Sequence, residues 1–374
     1  MRLFASCAPG LEPLLAREVT ELALGAPTVV VGGVEFEGDL ATVLRANLEL
    51  GLALFVLVRL AELRVTKLPD LVRKVAALDV RPFLSKGQPL AVRVRARASR
   101  LYHTGAIEER VRLGLGESLG EPPREPSEGE PHVSLHVRVD HDVCTLSLDT
   151  SGETLHKRGY RQETAKAPFR EDLARALILL SGWNRTSPFV DPLMGSGTLP
   201  IEAAMLARRI APGHGRSFAI ELSPCCDRAL AARVRREARA RELPSLPFPI
   251  HGSDRDAGAH RAATANAERA GVLGDLSLAC APLSTAPYRV LESEPEGALV
   301  TNPPWGLRIG EGRDLRPLYQ ALGKAIERLP SAWKVGVVTG DKRLVHAMGA
   351  PLESAVLTDQ GGTKVWMFVR PRGA

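Results

Sequence analysis

Two short segments, each directly after an apolar strand pattern, restrict the possible folds of this chain more than any other feature. The first, residues 190–198, reads VDPLMGSGT and leads into an apolar helical pattern at 199–209. Glycine has no Cβ, so a glycine loop turns tightly and lets the backbone approach a ligand closely. Free N–H groups at the start of the following helix favour an anionic group such as a carboxylate. A strand, a glycine loop and a helix in this order predict a ligand site in an α/β sheet.

The second segment, residues 301–306, reads TNPPWG and follows the apolar strand pattern at 297–300. The side-chain carbonyl of Asn302 can accept a hydrogen bond. The two prolines stiffen the turn, and Pro303 offers only its carbonyl because proline has no backbone N–H. Rigid acceptors beside the flat ring of Trp305 suit a planar amine that must be held and stacked. This segment predicts methylation of an amino group on a nucleobase.

Together the two segments resemble the motifs of class I S-adenosylmethionine-dependent amino-methyltransferases, which are D-P-x-x-G-S-G-T and N-P-P-[YFW]. Either motif alone is a weaker signal than both in this order, each after a strand. The resemblance implies S-adenosylmethionine as cofactor, S-adenosylhomocysteine as product and no metal. It implies catalytic roles for Asn302, Pro303, Pro304 and Trp305. The cofactor-binding residues that we predict are Asp191, Gly195, Ser196, Gly197, Thr198, Asp254 and Arg170.

Other roles of the glycine loop are less consistent with the sequence. A dinucleotide fingerprint would need a third glycine where Pro200 stands, and a phosphate loop would need a G-K-[ST] triplet. Gly195 and Gly197 could also do no more than close a tight turn. Asp191 could orient the loop or contact the amine of the cofactor, and both roles stay open.

Two aspartates follow the predicted second strand of this region, 248–252. Asp254 is placed to accept hydrogen bonds from ribose hydroxyls, and Asp256 is suited to cap the next helix. Members of the family often carry an acid after the third strand that meets the adenine amine. Here Ala281 follows Cys280, so we expect backbone groups or other residues to recognise adenine.

The segment before the glycine loop resembles part of an RNA-binding domain. Residues 146–161, LSLDTSGETLHKRGYR, resemble the end of the THUMP domain as it occurs in bacterial ribosomal RNA guanine-N2 methyltransferases. Residues 167–173, APFREDL, are similar to the motif just before the catalytic domain of that family, with Phe169 where leucine is usual. The resemblance implies structured RNA as the partner and the exocyclic N2 amine of guanine as the methyl acceptor.

Basic residues upstream of the glycine loop fit an RNA surface. The segment 90–98 alternates apolar residues with arginines, which predicts a strand with one buried face and one basic face. The RNA-binding residues that we predict are Arg93, Arg95, Arg97, Arg100, Lys157, Arg158 and Arg161. For any single arginine a solvated strand face is the alternative. The net charge of +6 agrees with an anionic partner, but many unrelated proteins share such a charge.

The length of the chain and the order of its patterns predict three regions. A chain of 374 residues exceeds one ordinary domain. We expect an α+β, ferredoxin-like region at 1–60, a THUMP domain at 61–161, and a class I methyltransferase domain at 162–374 with an insertion at about 211–247. Alternating helices and apolar strands in the last region predict a Rossmann-like, mostly parallel seven-stranded sheet with helices on both faces. In the first region, residues 29–36 are predicted as one strand.

The cysteines and the hydropathy of the chain restrict the cellular compartment in which the protein is expected. The five cysteines are an odd number without a C-x-x-C motif, which argues against a disulfide framework and against zinc. The longest apolar run, 50–58, is too short to span a bilayer, and the first residues lack a signal-peptide pattern. We expect a cytoplasmic monomer without a membrane partner.

The sequence therefore predicts an RNA guanine-N2 methyltransferase, with ribosomal RNA as the favoured substrate. A transfer RNA guanine-N2 methyltransferase of similar layout is the first alternative. DNA adenine-N6 methylation uses the same tetrapeptide, but the THUMP-like segment argues against it. A non-catalytic RNA-binding assembly factor would keep the fold, but the intact motifs argue against that role.

Overall fold

The computed structural model describes residues 1–162, 169–285, 294–305 and 314–371. Residues 167 and 168 of the predicted pre-catalytic motif and Gly306 of the second segment lie outside them. The chain divides into two compact units. The first unit consists of Met1–Cys7, Leu15–Leu155 and Gly213–Glu237, and the second of Ala8–Leu14, His156–Pro212 and Ala238–Ala374. Most of the predicted insertion is thus grouped with the N-terminal residues.

The first unit is built on one seven-stranded sheet with the order β2-β3-β1-β4-β7-β6-β5. Its strands are β1 (Arg2–Ser6), β2 (Thr28–Val30), β3 (Gly33–Glu37), β4 (Phe55–Arg64), β5 (Leu90–Arg97), β6 (Val133–Asp140) and β7 (Val143–Asp149). Neighbouring strands are antiparallel, except β5 and β6, which run parallel. The sheet is continuous across the predicted boundary at residue 60, which falls inside β4.

Four helices lie in this half of the chain, namely α1 (Glu12–Glu21), α2 (Leu40–Glu49), α3 (Leu68–Ala76) and α4 (Thr104–Leu119). The start of α2 is fixed by a capping box, in which the Asp39 carboxylate accepts from the Thr42 N–H and the Thr42 hydroxyl accepts from the Asp39 N–H. The end of α4 is fixed by Gly120, which has the left-handed conformation that glycine adopts without strain.

The prediction of one strand at 29–36 is wrong, because the segment forms the β2–β3 hairpin. Val30 pairs with Gly33 across a two-residue turn, and Gly32 in that turn has φ +84°. Glycine adopts such a positive φ readily, so the glycine pair reverses the chain instead of continuing the strand. The apolar alternation across the turn concealed the reversal.

The second unit contains the second seven-stranded sheet, with the order β10-β9-β8-β11-β12-β14-β13. Its strands are β8 (Phe189–Asp191), β9 (Ile250–Asp254), β10 (Leu276–Cys280), β11 (Ala298–Thr301), β12 (Lys334–Thr339), β13 (Glu353–Gln360) and β14 (Thr363–Val369). The strands from β10 to β12 run parallel, and β14 is antiparallel to both β12 and β13. The predicted mostly parallel seven-stranded sheet is confirmed.

The remaining helices are α5 (Glu171–Ser181), α6 (Thr198–Ala207), α7 (Arg228–Arg239), α8 (Ala257–Arg269), α9 (Arg316–Glu327) and α10 (Lys342–His346). Tyr319 of α9 and Trp333 beside β12 are fully buried and centre an apolar cluster. No helix among the described residues combines the length and the apolar character needed to cross a lipid bilayer.

Candidate active site

Strands β8 and β11 are direct neighbours, and this pairing brings the two sequence segments together. They run parallel, with Phe189 opposite Ala298 and Val190 opposite Leu299, so their carboxyl ends lie at the same edge of the sheet. The glycine loop follows β8 and the 302–305 turn follows β11. Strands β9 and β10 lie on one side of β8, and strands β11 and β12 lie on the other side. This edge is therefore a topological switch point, where ligands bind in such sheets.

A buried hydrogen bond joins the ends of the two strands. The Thr301 hydroxyl donates to Asp191 Oδ1 at 2.7 Å, and the Leu193 N–H donates to the same oxygen at 3.1 Å. Asp191 is 1% exposed and Thr301 is fully buried. Burial raises the pKa of Asp191 to about 7, although both hydrogen bonds oppose the shift. The contacts of Asp191 with Leu193 and Thr301 orient the loop and the turn.

The two glycines of the loop have different environments. Both have a positive φ, +54° at Gly195 and +85° at Gly197. A Cβ on Gly197 would lie 2.9 Å from the Ala263 Cβ on α8, whereas a Cβ on Gly195 would meet no atom within 4 Å. Position 197 therefore needs a glycine because α8 packs closely against it, whereas Gly195 borders open space.

Gly197 is also the N-cap residue of α6, where no side chain satisfies the first N–H groups of the helix. Ser196 and Thr198, which flank it, are each 5% exposed. The Ser196 carbonyl accepts a hydrogen bond from Asn266 on α8 at 3.1 Å. Backbone groups of this loop, more than its side chains, are thus available to a ligand.

Asp254 lies beside the loop because β9 pairs with β8. It ends β9, two residues beyond the predicted end of that strand, and its Oδ2 accepts from the Gly195 N–H at 3.1 Å. The cap predicted at Asp256 is confirmed, since its carboxylate accepts from the N–H groups of Gly258 and Ala259. Asp254 retains lone pairs that could accept a further donor.

The turn after β11 is held from two sides. The Trp305 indole Nε1 donates to Asn302 Oδ1 at 3.0 Å. The Tyr319 hydroxyl lies 3.4 Å from the Pro304 carbonyl, and it also contacts Thr339 Oγ1 at the end of β12. Pro303 is buried, while Asn302, Pro304 and Trp305 are partly exposed. The predicted catalytic residues thus form one compact, restrained turn.

Arg170 and Arg161 lie near the start of α5, and both are engaged in ion pairs. The Arg170 guanidinium donates to both oxygens of Asp172, which is fully buried. The Arg161 guanidinium donates to the Phe169 carbonyl at 2.6 Å and to Glu171 at 3.1 Å. Arg170 remains a predicted cofactor residue, and Arg161 is mostly occupied within the unit.

Arg158 does not lie on a surface as predicted. Its side chain is 1% exposed and its Nε lies 3.4 Å from Oε1 of Glu202 on α6. The Tyr160 hydroxyl donates to the same oxygen at 3.2 Å. Because the guanidinium is enclosed by this cluster, it cannot reach an RNA phosphate, and we remove Arg158 from the predicted RNA surface. Lys157 is exposed.

The predicted basic strand is exposed at a sheet edge. β5 is the last strand of the first sheet, and Arg93, Arg95, Arg97 and Arg100 are exposed. The parallel register places Arg95 opposite the exposed Arg138 of β6. Arg138 pairs with Asp140 at 2.8 Å, and the exposed arginines of β5 remain a predicted RNA surface.

Three residues of the second unit, Glu202, Asn266 and Gly340, were not predicted from the sequence to take part in the site, and Glu202 was interpreted as a solvated or packing residue. Glu202 and Asn266 are fully buried, and each contacts a segment distant in the chain. A single acid inside the apolar sequence TLPIEAAMLA was the available signal for Glu202. Gly340 contacts the ring of Trp305, and its sequence context offers no signal.

Three family models match the chain. The model described as "RMKL-like, methyltransferase domain" matches residues 158–360. A model described as "RlmL ferredoxin-like domain" matches residues 2–57, and a THUMP domain model matches residues 65–149.

Relatives in sequence and structure agree with these models. The chain is 37% identical over 363 residues to "Ribosomal RNA large subunit methyltransferase K/L" of Syntrophotalea carbinolica, which covers 93% of this chain and 50% of that protein. It is 32% identical over 380 residues to "Putative RNA methyltransferase YpsC" of Bacillus subtilis, covering 99% of this chain and 97% of that protein. The crystal structure of SMU.472 complexed with SAH superposes with a TM-score of 0.88 at 30% identity, covering 99% and 97% of the two chains.

The chain spans about half the length of the curated K/L proteins that it matches. The methyltransferase model covers more than half of the chain, and the ferredoxin-like and THUMP models match successive segments ahead of it. The resemblance stated from the glycine loop, the N-P-P-W turn and the THUMP-like segment is therefore confirmed. This chain belongs to the RMKL-like methyltransferase family, with a ferredoxin-like segment and a THUMP domain ahead of its methyltransferase domain.

Proposed function

We propose that this protein transfers a methyl group from S-adenosylmethionine to the exocyclic N2 amine of a guanine in structured RNA, with ribosomal RNA as the favoured substrate. The observation that carries the proposal is the Thr301–Asp191 hydrogen bond of 2.7 Å. It joins the strand that ends in the glycine loop to the strand that ends in the acceptor turn. The cofactor site and the acceptor site then share one sheet edge, as direct methyl transfer requires.

The cofactor supplies an electrophilic methyl group on a sulfonium sulfur and leaves as S-adenosylhomocysteine. The residues present fit such a group. The N-terminus of α6 lacks a side-chain cap at Gly197, so its N–H groups can hold the carboxylate of the methionine moiety. Asp254 lies beside the loop and can accept from ribose hydroxyls. The space above Gly195 leaves room for the ligand.

The acceptor amine would be held by the 302–305 turn. Asn302 Oδ1 and the Pro303 carbonyl accept hydrogen bonds from the amine, which favours a pyramidal, more nucleophilic nitrogen. Stacking of Trp305 on the base contributes roughly 1–3 kcal/mol on the scale for single-stranded nucleic acids. A guanine inside an RNA helix must first turn out of its stack. Positioning supplies most of the rate enhancement, and no covalent intermediate is needed.

RNA is the proposed substrate because several observations point the same way. A THUMP domain model matches residues 65–149, and related proteins are named as ribosomal RNA and RNA methyltransferases. The exposed arginines of β5 offer a basic edge. We propose that the protein acts on RNA as a cytoplasmic monomer, with the boundaries between its regions near residues 60 and 161.

Labelled S-adenosylmethionine tests the proposal. The protein is incubated with total RNA and, separately, with DNA, and the modified nucleoside and its parent molecule are identified. We expect N2-methylguanosine in ribosomal RNA. The same nucleoside in transfer RNA would favour the first alternative, and label in DNA alone would reverse the ranking. Absence of transfer to any nucleic acid would favour an assembly factor.

The variant Asn302→Ala tests the acceptor site. We expect methyl transfer to fall on the order of 10²-fold or more, because the amine loses an acceptor that positions it. The affinity for S-adenosylmethionine, measured by calorimetry, should stay near that of the wild type. Gln320, which is exposed on α9, provides the control Gln320→Ala with unchanged transfer. An unchanged rate in Asn302→Ala would remove this residue from the mechanism.

A further inference from the structure

Gly340 lies against the ring of Trp305. It directly follows β12 (Lys334–Thr339), the neighbour of β11 in the sheet. A Cβ added at Gly340 would collide with Trp305 Cε3, would lie 2.5 Å from Cζ3 and would lie 3.1 Å from Cδ2. The φ of Gly340 is outside the left-handed region. Glycine is therefore needed here for space and not for backbone conformation.

Trp305 also contacts Asn302 through its indole N–H. Its indole Nε1 donates to Asn302 Oδ1 at 3.0 Å. An indole N–H is a donor and never an acceptor, so its partner on the carboxamide must be the oxygen. The bond therefore fixes the orientation of the amide, with Oδ1 towards the indole and Nδ2 away from it. A phenylalanine ring at 305 could not make this bond.

The orientation of Asn302 matters for the proposed chemistry. A carboxamide oxygen has two lone pairs. One accepts from Trp305, and the second remains for the target amine. A flipped amide would present its NH₂ group to that amine, and two donors would then face each other. The acceptor role of Asn302 thus depends on what fixes its amide.

We propose that Gly340 and Trp305 form a positioning pair for Asn302. Gly340 supports the indole ring, and the indole N–H holds the carboxamide with its oxygen available to the acceptor amine. This inference rests on the proposed function for its chemistry, since it assigns a role within the same site. It gives Trp305 a role beyond stacking, and it makes Gly340 a determinant of the methyl-transfer rate.

The variant Gly340→Ala tests the pair. The new methyl group displaces the indole and breaks its bond to Asn302. We expect kcat for methyl transfer to fall on the order of 10²-fold, with the thermal midpoint and the affinity for S-adenosylmethionine unchanged. Gly274→Ala is the matched control, because a Cβ there meets nothing within 4 Å and its φ is outside the left-handed region. Full activity in Gly340→Ala would overturn the proposal.

A double-mutant cycle with Trp305→Ala separates this role from other roles of Gly340. Without the indole there is nothing for the new methyl group to displace, so Gly340→Ala should cause no further loss of kcat in that background. Equal losses in both backgrounds would show that Gly340 acts independently of Trp305. Trp305→Phe keeps a ring but loses the N–H, and we expect a reduced kcat. A wild-type kcat for Trp305→Phe would contradict the role of the indole N–H.

A measurement without RNA keeps the inference separate from the proposed function. In protein with isotope-labelled indole nitrogens, the Trp305 resonance is identified by its loss in Trp305→Phe. We expect it to shift in both Asn302→Ala and Gly340→Ala and to stay in place in Gly274→Ala. If the wild type transfers no methyl group to nucleic acid, the proposed function fails while this result still decides the positioning pair. An unshifted resonance in Gly340→Ala would overturn the pair whatever the activity.

Discussion

At the scale of the residue, Asp191 joins the glycine loop to the end of β11 through Leu193 and Thr301, and its buried carboxyl group makes stability depend on pH. Its carboxyl group is buried, and burial raises its pKa from 3.8 in the unfolded chain to about 7. Below pH 4 both states hold the proton. Between about pH 4 and 7 the folded state keeps a proton that the unfolded state has released. Stability from this group is therefore greatest at low pH and is lost as the pH rises towards 7.

The variant Asp191→Asn should remove this dependence. Asparagine keeps an oxygen that can accept from Leu193 and Thr301 but cannot ionise. We expect the variant to gain stability relative to the wild type as the pH rises, by about 2.7 kcal/mol between pH 5 and pH 8. Urea unfolding at pH 5, 6 and 8 measures the difference. Burial also raises the pKa of Glu171 to about 7, so the informative quantity is the difference in unfolding free energy between variant and wild type. A difference that stays constant from pH 5 to pH 8 would contradict the prediction.

Gly197 shows why a residue-level test must be chosen from the structure. Its φ of +85° and its contact with Ala263 make a larger residue unfavourable whether or not a ligand binds. A valine at this position would perturb the packing of α6 on α8 and could not report on the cofactor alone. Gly195 borders open space and is the better position for testing ligand contact.

At the scale of the element, α6 is anchored by a buried charge. Glu202 of α6 accepts from Arg158 and Tyr160, which follow the first unit in the chain. The same helix begins at the glycine loop, whose Ser196 carbonyl is held by Asn266. These contacts link the segment after the THUMP match to the loop that we propose binds the cofactor.

The variant Glu202→Gln should destabilise the protein by about 3–5 kcal/mol, because it takes an anionic partner from a guanidinium that is 1% exposed. Chemical unfolding measures the loss. The matched control is Glu237→Gln in the surface pair with Arg233, where both side chains are 59% exposed. That change should cost less than about 1 kcal/mol. An equal loss of unfolding free energy in the two variants would show that the buried ion pair stabilises the protein no more than the surface pair.

Element boundaries were predicted best where one pattern ran without interruption. The strand predicted at 90–98 is β5, and the patterns at 199–209 and 297–300 are α6 and β11 to within two residues. The helices α3 and α10 were missed. The helix α10 has five residues, too few to show a helical period. The hairpin at 29–36 was missed because its glycine pair looked like part of a strand.

At the scale of the whole molecule, the basic edge of β5 is the surface that we propose for RNA. Replacing Arg93, Arg95 and Arg97 together with glutamine should weaken RNA binding. It should also reduce the slope of log K against log salt by roughly 2–3, since each phosphate contact contributes about 0.7–0.9. Binding of the full chain at several salt concentrations measures this slope. The control removes the same charge at the exposed residues Arg17, Arg73 and Arg328, and an equal change there would indicate a nonspecific charge effect.

The full chain is the right material for that measurement. Residues Gly213–Glu237 are grouped with the N-terminal part of the chain. They contact it through hydrogen bonds such as the one of 2.8 Å from the Cys225 N–H to the carbonyl of Pro82, which lies between α3 and β5. A fragment that ends at residue 160 would lack these residues. Its failure to bind RNA would then be ambiguous between lost contacts and lost stability.

The sequence by itself determined the strand, loop and helix at 189–207, the turn at 302–305 and the parallel sheet that aligns them. These features follow from local rules, namely glycine and proline geometry and the period of apolar residues, which act within a few residues. Only the tertiary structure decided that Arg158 is enclosed by Glu202 and that Trp305 rests on Gly340 while holding Asn302. Arg158 and Glu202 lie 44 residues apart in the chain, and Trp305 and Gly340 lie 35 residues apart. A charge or a glycine has no period that reveals its partner, so its role depends on which distant element packs against it.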